Sequence, residues 1–568
     1  MKLTIQGRGD VNLTQQDFVA QGGQGSVYAV GDTAFKVYHD TSGMMPEGKI
    51  LELAALPVPP FSRPEHMLLD SKGRKVGYTT RFVKDAYVLC QLFPRSFRDR
   101  EGLTHDKVFH LVEKMREGFD LAHKAKILLI DPNEMNFLVD SKFATVTFID
   151  TDSYQTKSYP ATAIMESIRD RHMSHPMAFS EGTDWFSFAV TSFQLLVGIH
   201  PYKGKHPTLK GFDDRMKANV SVFNKEVSVP AVAYPLDVIP KTWRGWYEAV
   251  LEKGDRSAPP GGAVVVALIQ PTIKALVGSG NLVLDELGQY GGGNVTGVWA
   301  TGTRLVVATD KGLWVDGRRV SDWTDTTAIG FSTKMVAPIA VRHPSDVPEM
   351  FDGASKTSVA FGLNAQRVVG YDGRIYLKVN DKIMEVVLND VGNKVIASTR
   401  LAATVLPNAS LLFQGGVAQN MLGSMFISLF PQAGQTYQVR IPDLDQYRII
   451  DAKYDAGTKG GVLMVIARTK KGTFDRLVFR FDSAFQTYDM RKVEDIGTSA
   501  GLNFVVTDAG VCICLDEDDK LELTSANKGS TQMKTIEDKV LGGDLRLFKR
   551  GSQVLMARGD KVFTMRMK

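Results

Sequence analysis

The spacing of apolar residues divides the chain into two halves. Up to about residue 270, several segments repeat apolar side chains every three or four positions, which is typical of amphipathic helices. Short strand-like runs lie between them. From about residue 294, apolar and polar residues alternate at every second position, with turn residues between the runs. The pattern therefore predicts an α+β region followed by an all-β region.

Four segments of the first half predict helices. The longest, residues 106–126, has an apolar stripe formed by Val108, Leu111, Val112, Met115, Phe119 and Ala122. Residues 182–202 predict an aromatic-rich buried helix, with an N-cap at Thr183 or Asp184 and an end at Gly198. Shorter helices are predicted at residues 46–56 and 243–256. Histidines on the long helix, His110 and His123, are interpreted as packing residues.

A lysine lies inside an apolar strand-like run, where a charge needs a partner. This residue is Lys36, which follows Ala34 and Phe35. In the 46–56 helix, Glu47 shares a face with Ile50, Leu51 and Ala54 by its three- and four-residue spacing. Glu47 is therefore the predicted partner of Lys36. Glu52, on another face, is the alternative.

Two polar motifs have the chemistry of a phosphoryl-transfer site. A glycine cluster at Gly22, Gly23 and Gly25 joins two strand-like runs, and glycines let backbone N–H groups approach a phosphate. Asp131 and Asn136 are five residues apart between apolar runs, and Asp150 ends the next run. One carboxylate can orient a hydroxyl, while a carboxamide and a second carboxylate can hold Mg²⁺.

Taken together and in this order, these features resemble the protein kinase superfamily over about residues 15–270. The resemblance implies a two-lobed fold, with Asp131 as the catalytic-loop aspartate and Asp150 in the metal-binding motif. It implies that Asp184 braces the catalytic loop and that Arg256 pairs with an acidic residue, Glu166 being the first candidate and Glu181 the second. Within this superfamily, the chain resembles compact bacterial or phage serine/threonine kinases.

The resemblance also assigns the site residues and the cofactors, which are ATP and Mg²⁺. The predicted catalytic residues are Asp131, Lys36 and Glu47. The predicted metal ligands are Asn136 and Asp150. The predicted nucleotide-binding residues, with the last three forming the hinge that would hold adenine, are Gly22, Gly23, Gly25, Val27, Lys36, Arg81, Phe82 and Val83.

Three departures from the kinase pattern concern the same site. Leu129 and Ile130 stand where the family has His-Arg, so a phosphorylated activation loop would lack its usual arginine. Asn133 replaces a lysine near the transferring phosphate. Asp152 replaces a glycine and adds negative charge beside the expected Mg²⁺ site. These changes permit catalysis but predict slower transfer or a different substrate.

The second half predicts repeated small sheets. Runs such as residues 303–320 read as strand, Asp-Gly or Lys-Gly turn and strand, with repeats of very roughly 40 to 50 residues. This repeat of short strands and turns indicates a β-propeller of about six blades. Five or seven blades and a pair of β-sandwiches are the alternatives. The predicted boundaries are 1–270 for the kinase-like domain, divided near residue 83 into an N-lobe and a C-lobe, 271–293 for a linker and 294–568 for the propeller.

Composition and charge argue against some classes of partner and cellular setting. The net charge of +5 is small for 568 residues and its basic residues are scattered, so nucleic acid is not an expected partner. No apolar run reaches the length of a membrane span, and the N-terminus lacks the apolar core of a signal peptide. Cys90, Cys512 and Cys514 have no metal-ligand spacing. A reduced, cytoplasmic setting is expected, in a bacterial cell or encoded by a phage.

The sequence favours an ATP- and Mg²⁺-dependent serine/threonine protein kinase whose propeller recruits substrates or partners. The main alternative is a pseudokinase, a nucleotide-binding scaffold in which the propeller is the functional part. A kinase for a small molecule and a structural component of a larger assembly remain further alternatives.

Overall fold

The computed structural model describes residues 1–161, 163–230, 232–261, 282–302, 304–497 and 501–567. We call residues 1–261 the N-terminal region and residues 282–567 the C-terminal region. The predicted end of the first domain at residue 270 and the start of the linker at residue 271 lie outside the described residues. Within them, no helix is long and apolar enough to cross a membrane.

The N-terminal region combines helices with two sheets. Its helices are α1 (Glu47–Leu53), α2 (Arg95–Glu101), α3 (His105–Lys124), α4 (Glu181–Val197), α5 (Phe212–Ala218) and α6 (Lys241–Glu252). Its strands are β1 (Lys2–Ile5), β2 (Gly9–Asn12), β3 (Phe18–Gln21), β4 (Gly25–Val30), β5 (Thr33–Tyr38), β6 (His66–Leu69), β7 (Lys75–Arg81), β8 (Tyr87–Val88), β9 (Phe137–Val139) and β10 (Val146–Phe148). One sheet is seven-stranded, in the order β2-β1-β6-β7-β5-β4-β3, and the other is three-stranded, in the order β10-β9-β8.

The two long helices follow their predicted patterns. Every residue of the stripe predicted for α3 is buried, and α3 packs against α4. Helix α4 is buried from Thr183 to Val197 and ends at Gly198, whose φ of 73° is the left-handed conformation that glycine adopts easily. Its N-cap is Ser180, not Thr183 or Asp184, because the Ser180 hydroxyl accepts a hydrogen bond from the Thr183 N–H.

Helix α1 buries a different face from the predicted one. Leu51, which was expected to be buried, has 78% of its surface exposed, and Glu47 is exposed as well. The inward residues on and beside the helix are Met45, Lys49, Leu53 and Leu56. These four residues also repeat every three or four positions. The sequence did not predict this stripe, because its second residue is a lysine and not an apolar residue. Burial of Lys49 is possible because its Nζ donates to the Asp152 carbonyl at 2.7 Å.

The C-terminal region is all-β in its described residues, as predicted. Its first half contains β11 (Leu282–Gln289), β12 (Val295–Thr301), β13 (Arg304–Thr309), β14 (Gly312–Val315), β15 (Arg318–Ser321), β16 (Thr326–Phe331), β17 (Pro338–Arg342), β18 (Glu349–Asp352), β19 (Thr357–Val359), β20 (Arg367–Tyr371), β21 (Arg374–Val379), β22 (Lys382–Val391), β23 (Lys394–Thr404) and β24 (Ser410–Phe413). Its second half contains β25 (Gly416–Met421), β26 (Ser424–Leu429), β27 (Tyr437–Arg440), β28 (Arg448–Gly457), β29 (Gly460–Arg468), β30 (Phe474–Phe481), β31 (Tyr488–Val493), β32 (Phe504–Val506), β33 (Val511–Leu515), β34 (Leu521–Ser525), β35 (Met533–Ile536), β36 (Arg546–Arg550), β37 (Gln553–Arg558) and β38 (Lys561–Met567).

These strands form seven four-stranded antiparallel sheets, where about six blades were expected. Six of the sheets use four consecutive strands each, beginning with β12, β16, β20, β24, β28 and β32. The seventh pairs β11 with β38, followed by β37 and β36. Strand β11 lies inside the predicted linker 271–293, so the β-rich part begins earlier than expected. Seven small sheets also differ from the few large sheets of a β-sandwich pair.

Neighbouring sheets meet through one edge strand of each sheet. Contacts join β16 to β20, β20 to β24, β24 to β28, β28 to β32, β32 to β36, and β36 to β12. Within sheets, tight turns use the predicted Asp-Gly pairs. Asp316 and Gly317 have φ of 50° and 78°, and Asp372 and Gly373 have φ of 49° and 67°. Two successive positive φ values characterise the hairpin turn whose twist matches that of its strands.

The two regions share a buried apolar cluster. It extends from α3 and α4 through Leu92 and Phe93 to Met464 of β29 and Phe504 of β32. The three cysteines are buried and unpaired, and burial raises the pKa of the Cys514 thiol to about 11. Their side chains therefore pack as small apolar groups, in agreement with the sequence.

Candidate functional site

Lys36 lies between two carboxylates. Its Nζ donates to Asp150 Oδ1 at 2.6 Å and to Asp152 Oδ2 at 2.8 Å. Strand β5 supplies the lysine, and the segment after β10 supplies both aspartates. The Asp152 side chain is 6% exposed and that of Asp150 is 40% exposed. The structure thus brings together two residues predicted for the site, Lys36 and Asp150, and adds a third, Asp152.

The predicted ion pair between Lys36 and Glu47 is not formed. The Glu47 carboxylate accepts hydrogen bonds from Lys75 Nζ at 2.5 Å and from Gln6 Nε2 at 2.9 Å, and it faces solvent. The alternative residue, Glu52, accepts a hydrogen bond from the Ser158 N–H at 3.1 Å. Because α1 turns Lys49 and Leu53 inward, its glutamates point away from Lys36. Glu47 is therefore corrected from a site residue to a surface residue.

The charges around Lys36 shift one another's titration. Burial disfavours the ammonium group, but Asp152 and Asp150 outweigh burial and raise the pKa of Lys36. Burial also opposes ionisation of Asp152, yet the Lys36 ammonium lowers the pKa of that carboxyl. Burial raises the pKa of the Asp150 carboxyl, and the negative charge of Asp152 raises it further. Asp152 is consequently the carboxylate that holds its charge most firmly.

Asp131 is held by its own loop and by a segment further along the chain. Its Oδ1 accepts a hydrogen bond from the Met165 N–H at 2.9 Å, and its Oδ2 accepts one from Asn133 Nδ2 at 3.0 Å. Burial raises the pKa of the Asp131 carboxyl. Immediately before it, Ile130 has a φ of 63°, which is unusual and strained for a β-branched residue.

Asp184 holds this strained loop in place, as the sequence predicts. Its carboxylate accepts hydrogen bonds from the backbone N–H of Leu129 at 2.8 Å and of Ile130 at 2.9 Å. A third contact joins it to His123 Nε2 at 2.9 Å. His123 is buried and packs edge-on against Trp185, so it is a packing residue as predicted, with a polar role that the sequence did not show.

Asn136 and Asp150 have the donor atoms of a Mg²⁺ site. Asn136 Nδ2 donates to the Asp131 carbonyl at 2.9 Å, and a carboxamide binds cations through its oxygen. The Ile149 N–H donates to the Asn136 carbonyl at 3.0 Å and ties Asn136 to the segment that carries Asp150. Across the described residues, no three acidic, histidine or cysteine side chains cluster as metal ligands. A pair of protein oxygens fits Mg²⁺, which keeps several waters and binds phosphates.

The glycine-rich loop is a hairpin turn between β3 and β4. Gly22 N–H donates to the Gly25 carbonyl at 2.8 Å, and Val27 lies opposite Lys36 in the pairing of β4 with β5. A Cβ on Gly25 would come within 2.4 Å of the Val37 carbonyl oxygen, so glycine is required there for strand packing. Gly22 and Gly23 are exposed and have no such neighbour. Only these two leave room for an approaching ligand.

Part of the predicted hinge is already hydrogen-bonded within the protein. The Phe82 N–H donates to the Asp32 carbonyl at 2.8 Å, and the Arg81 carbonyl accepts from the Ser62 hydroxyl at 2.7 Å. Arg81 ends β7, opposite Thr33 of β5. Val83 follows as a half-buried residue. The segment lies at the end of β7, and two of its backbone groups are hydrogen-bonded to other parts of the protein.

Arg256 forms the expected type of ion pair with an unexpected partner. Its guanidinium contacts both carboxylate oxygens of Asp170, at 2.6 and 2.8 Å. The predicted partners lie elsewhere: Glu166 pairs with Arg169 and Arg171, and Glu181 is 4.0 Å from Lys126. The sequence alone did not mark Asp170, because its burial, which makes it need an arginine, is known only from the structure.

A residue of the C-terminal region contacts the loop that carries Asp131, and the sequence did not predict this contact. Arg468, at the end of β29, donates to Glu134 Oε1 at 2.6 Å, and both side chains are buried. Glu134 is three residues after Asp131. Arg468 also contacts the Met165 sulfur at 3.0 Å. No local pattern pairs residues 334 positions apart.

A scan against protein-family models gives no match for this chain, and a search of curated proteins finds no significant similarity.

Proposed function

We propose that the protein is an ATP- and Mg²⁺-dependent phosphotransferase of the protein kinase type, acting on serine or threonine hydroxyls. One observation carries the proposal: Lys36 Nζ lies 2.6 Å from Asp150 Oδ1, although 114 residues separate them in the chain. A lysine that is 12% exposed, beside a carboxylate that is 40% exposed, can serve a nucleotide phosphate and its Mg²⁺.

The surrounding residues support distinct roles. Lys36 would bind the phosphates under the exposed Gly22–Gly23 turn, while Asn136 and Asp150 would hold Mg²⁺. Bound Mg-ATP would supply the phosphoryl group and the charge neutralisation for its transfer. Asp131 would orient the acceptor hydroxyl and take its proton. Asp184 accepts hydrogen bonds from the Leu129 and Ile130 N–H groups and so fixes the backbone directly before Asp131, which supports a catalytic role for this loop.

The departures from the kinase pattern are partly compensated. Asn133, which replaces a lysine, donates a hydrogen bond to Asp131 Oδ2 and so fixes the carboxylate without adding a positive charge. Asp152, which replaces a glycine, pairs with Lys36 and leaves Asp150 as the more exposed carboxylate. These contacts support a site that can still perform transfer, more slowly than one with the missing lysine.

The C-terminal region is proposed to be a seven-bladed β-propeller that recruits the substrate or a partner. Seven four-stranded sheets in chain order, and edge strands that contact one another from β16 through β36 to β12, support this architecture. The pairing of β11 with β38 would join the two ends of the region. Arg468 and the neighbouring Gly472 lie against Met165 and Glu134, so an incoming protein would meet this region beside Asp131.

Two observations favour the second candidate, a pseudokinase scaffold. The Met165 N–H donates to Asp131 Oδ1 and Asn133 Nδ2 donates to Oδ2, so both carboxylate oxygens that an acceptor hydroxyl could use already have a partner. The hydrogen bond from Phe82 to Asp32 points the same way, because it engages a hinge group. In a scaffold these contacts would be permanent, whereas in an active enzyme residues 163–168 would move away from Asp131.

The test is incubation of the full chain with labelled ATP and Mg²⁺, with and without a generic protein substrate, followed by mapping of phosphorylated residues. An ATP-induced rise in melting temperature measures binding in the same samples. Binding with transfer supports the kinase, and binding without transfer supports the scaffold. Absence of both excludes the two functions.

A further inference from the structure

Four acidic residues are candidate partners of Lys36, and Glu52 is excluded because its carboxylate accepts a hydrogen bond from the Ser158 N–H. Glu47 is excluded by its position, because it faces solvent and pairs with Lys75. Asp150 contacts Lys36, but it is 40% exposed and is also the residue proposed to hold Mg²⁺. A carboxylate that binds the metal cannot serve Lys36 alone. Asp152 remains as the candidate for a permanent partner.

The surroundings of Asp152 fix it more tightly than those of Asp150. Its Oδ2 accepts hydrogen bonds from Lys36 Nζ at 2.8 Å and from the Tyr38 hydroxyl at 2.7 Å. Lys49 Nζ donates to its backbone carbonyl at 2.7 Å, which anchors the residue to α1. Side chain and backbone are thus both held from the N-terminal sheet and helix.

Two tyrosines complete the enclosure of the ammonium group. Lys36 Nζ lies 5.4 Å from the ring centre of Tyr38 and 5.6 Å from that of Tyr78. Aromatic rings at this distance attract a cation and restrict its movement. All three side chains are on β5 and β7, which pair directly, with Lys36 opposite Tyr78.

We infer that Asp152 is the positioning residue of Lys36, in the role for which the sequence suggested Glu47. Asp152 holds the ammonium group at a fixed point while Asp150 remains available to a cation. Helix α1 contributes through Lys49, which bonds to Asp152, and not through a glutamate. The consequence for nucleotide binding rests on the proposed function; the positioning of Lys36 itself does not.

The first experiment needs no nucleotide. The full-length protein is treated with an amine-acetylating reagent, and mass spectrometry compares acetylation of Lys36 with that of exposed Lys253. Asp152→Asn should raise the relative rate at Lys36 by roughly 10-fold, the effect of losing about 1.4 kcal/mol of interaction. Glu47→Gln should leave it unchanged. An unchanged rate in Asp152→Asn, or an equal rise in Glu47→Gln, overturns the inference.

A matched control separates positioning from general loosening. Asp170→Asn removes a carboxylate that is 4% exposed and pairs with Arg256, so it should lower stability without raising Lys36 acetylation. If Asp152→Asn fails to fold, Tyr38→Phe removes only the hydroxyl that donates to Asp152. It should raise Lys36 acetylation by a smaller factor in the same direction. No rise in a folded Tyr38→Phe protein would then count against the inference.

The second experiment tests the consequence for the proposed function. Asp152→Asn should weaken Mg-ATP binding and lower kcat by roughly 10²-fold, the scale of a misplaced binding group. Glu47→Gln should alter neither KM nor kcat. If the wild-type protein neither binds ATP nor transfers phosphate, the proposed function fails, and the acetylation rates still decide the role of Asp152. If the wild type is active and Asp152→Asn equals it, the positioning role is refuted.

Discussion

The two regions differ in how far apart in sequence their contacting residues are. In the C-terminal region most strands pair with the next strand in the chain, through short turns such as Asp316-Gly317. In the N-terminal region the candidate site joins Lys36 of β5 to Asp150, which is 114 residues away in the chain. Local patterns therefore build the first kind of structure, whereas the second depends on long-range contacts that no local pattern specifies.

The contact between the regions belongs to the second kind. It combines the shared apolar cluster with ion pairs between residues distant in sequence, such as Arg468 with Glu134 and Arg100 with Asp451. Arg367 of β20 pairs with Glu101 at 2.6 Å. Regions with independent cores would be expected to separate easily. The shared cluster instead predicts that they support each other, and four predictions test this contrast.

The largest effect is expected at the buried pair between the regions. Arg468→Met leaves the Glu134 carboxylate buried without its partner, which typically costs about 3–5 kcal/mol. Replacing both residues, with Glu134→Leu added, should recover most of that loss because no charge remains buried. Urea denaturation of both single variants and the double variant measures the coupling. Additive losses would show that the pair does not link the regions.

The next effect concerns the candidate site. Asp131→Asn should lower phosphate incorporation by roughly 10²-fold while Mg-ATP still binds, because only the acceptor hydroxyl depends on this residue. Asp150→Asn should weaken metal-dependent nucleotide binding itself, because it removes charge that a divalent ion requires. Nucleotide affinity and phosphate incorporation are measured for each protein. Transfer that survives Asp131→Asn unchanged means that this residue has another role.

A smaller effect should distinguish the regions by pH. Burial lowers the pKa of His200 to about 3 and, with the charges of Arg98 and Arg95, that of His105 to about 4. Below pH 6.5 the unfolded chain binds protons that these folded histidines refuse, so stability falls as pH falls. Between pH 7 and 5.5 we expect a loss of about 1–3 kcal/mol.

Both histidines responsible for this loss lie in the N-terminal region. His200 accepts a hydrogen bond at Nδ1 from the Tyr202 N–H, which a protonated ring could not do, and Lys203, Arg215 and Arg171 also oppose its charge. After residue 282 the sequence has one histidine, His343. Melting curves at the two pH values are compared with those of His200→Gln, whose pH dependence should be flatter. An equal slope in both proteins would contradict the assignment.

The smallest effect is expected in a hairpin of the C-terminal region. Gly317 has a φ of 78°, so Gly317→Ala should destabilise by about 1 kcal/mol through the left-handed conformation alone. Gly362→Ala is the control, since that glycine has neither a positive φ nor a close neighbour. Thermal unfolding measures both variants. A change in phosphate transfer in Gly317→Ala would show that turns of this region communicate with the site.

Particular residues show where sequence reasoning succeeded. The stripe on α3 follows from apolar spacing, because a helix that packs on a core must bury one face. Asp131 and Asn136 lie in one short loop and are hydrogen-bonded to each other, as their five-residue spacing allows, while their catalytic and metal-binding roles stay predictions. Asp184 was placed from the aromatic pattern of its helix, and its hydrogen bonds to the loop agree with the predicted bracing.

Other residues show where it failed. Glu47 was chosen because its spacing put it on an apolar face, but the true inward stripe contains Lys49. The partner of Arg256 was sought at Glu166 and is Asp170, since the path of residues 163–172 decides which carboxylate arrives. Asp152 was interpreted as a liability beside a metal, and its burial against Lys36 gives it a partner instead.

By itself the sequence determined the α+β and all-β halves, the helix stripes and the hairpin turns, because these depend on residues within a few positions of one another. Tertiary structure decided the partners of Lys36, Arg256 and Glu134 and the number of small sheets. The reason is physical. A buried charge takes whichever opposite charge the packing brings within hydrogen-bonding distance, and that choice depends on the whole path of the chain.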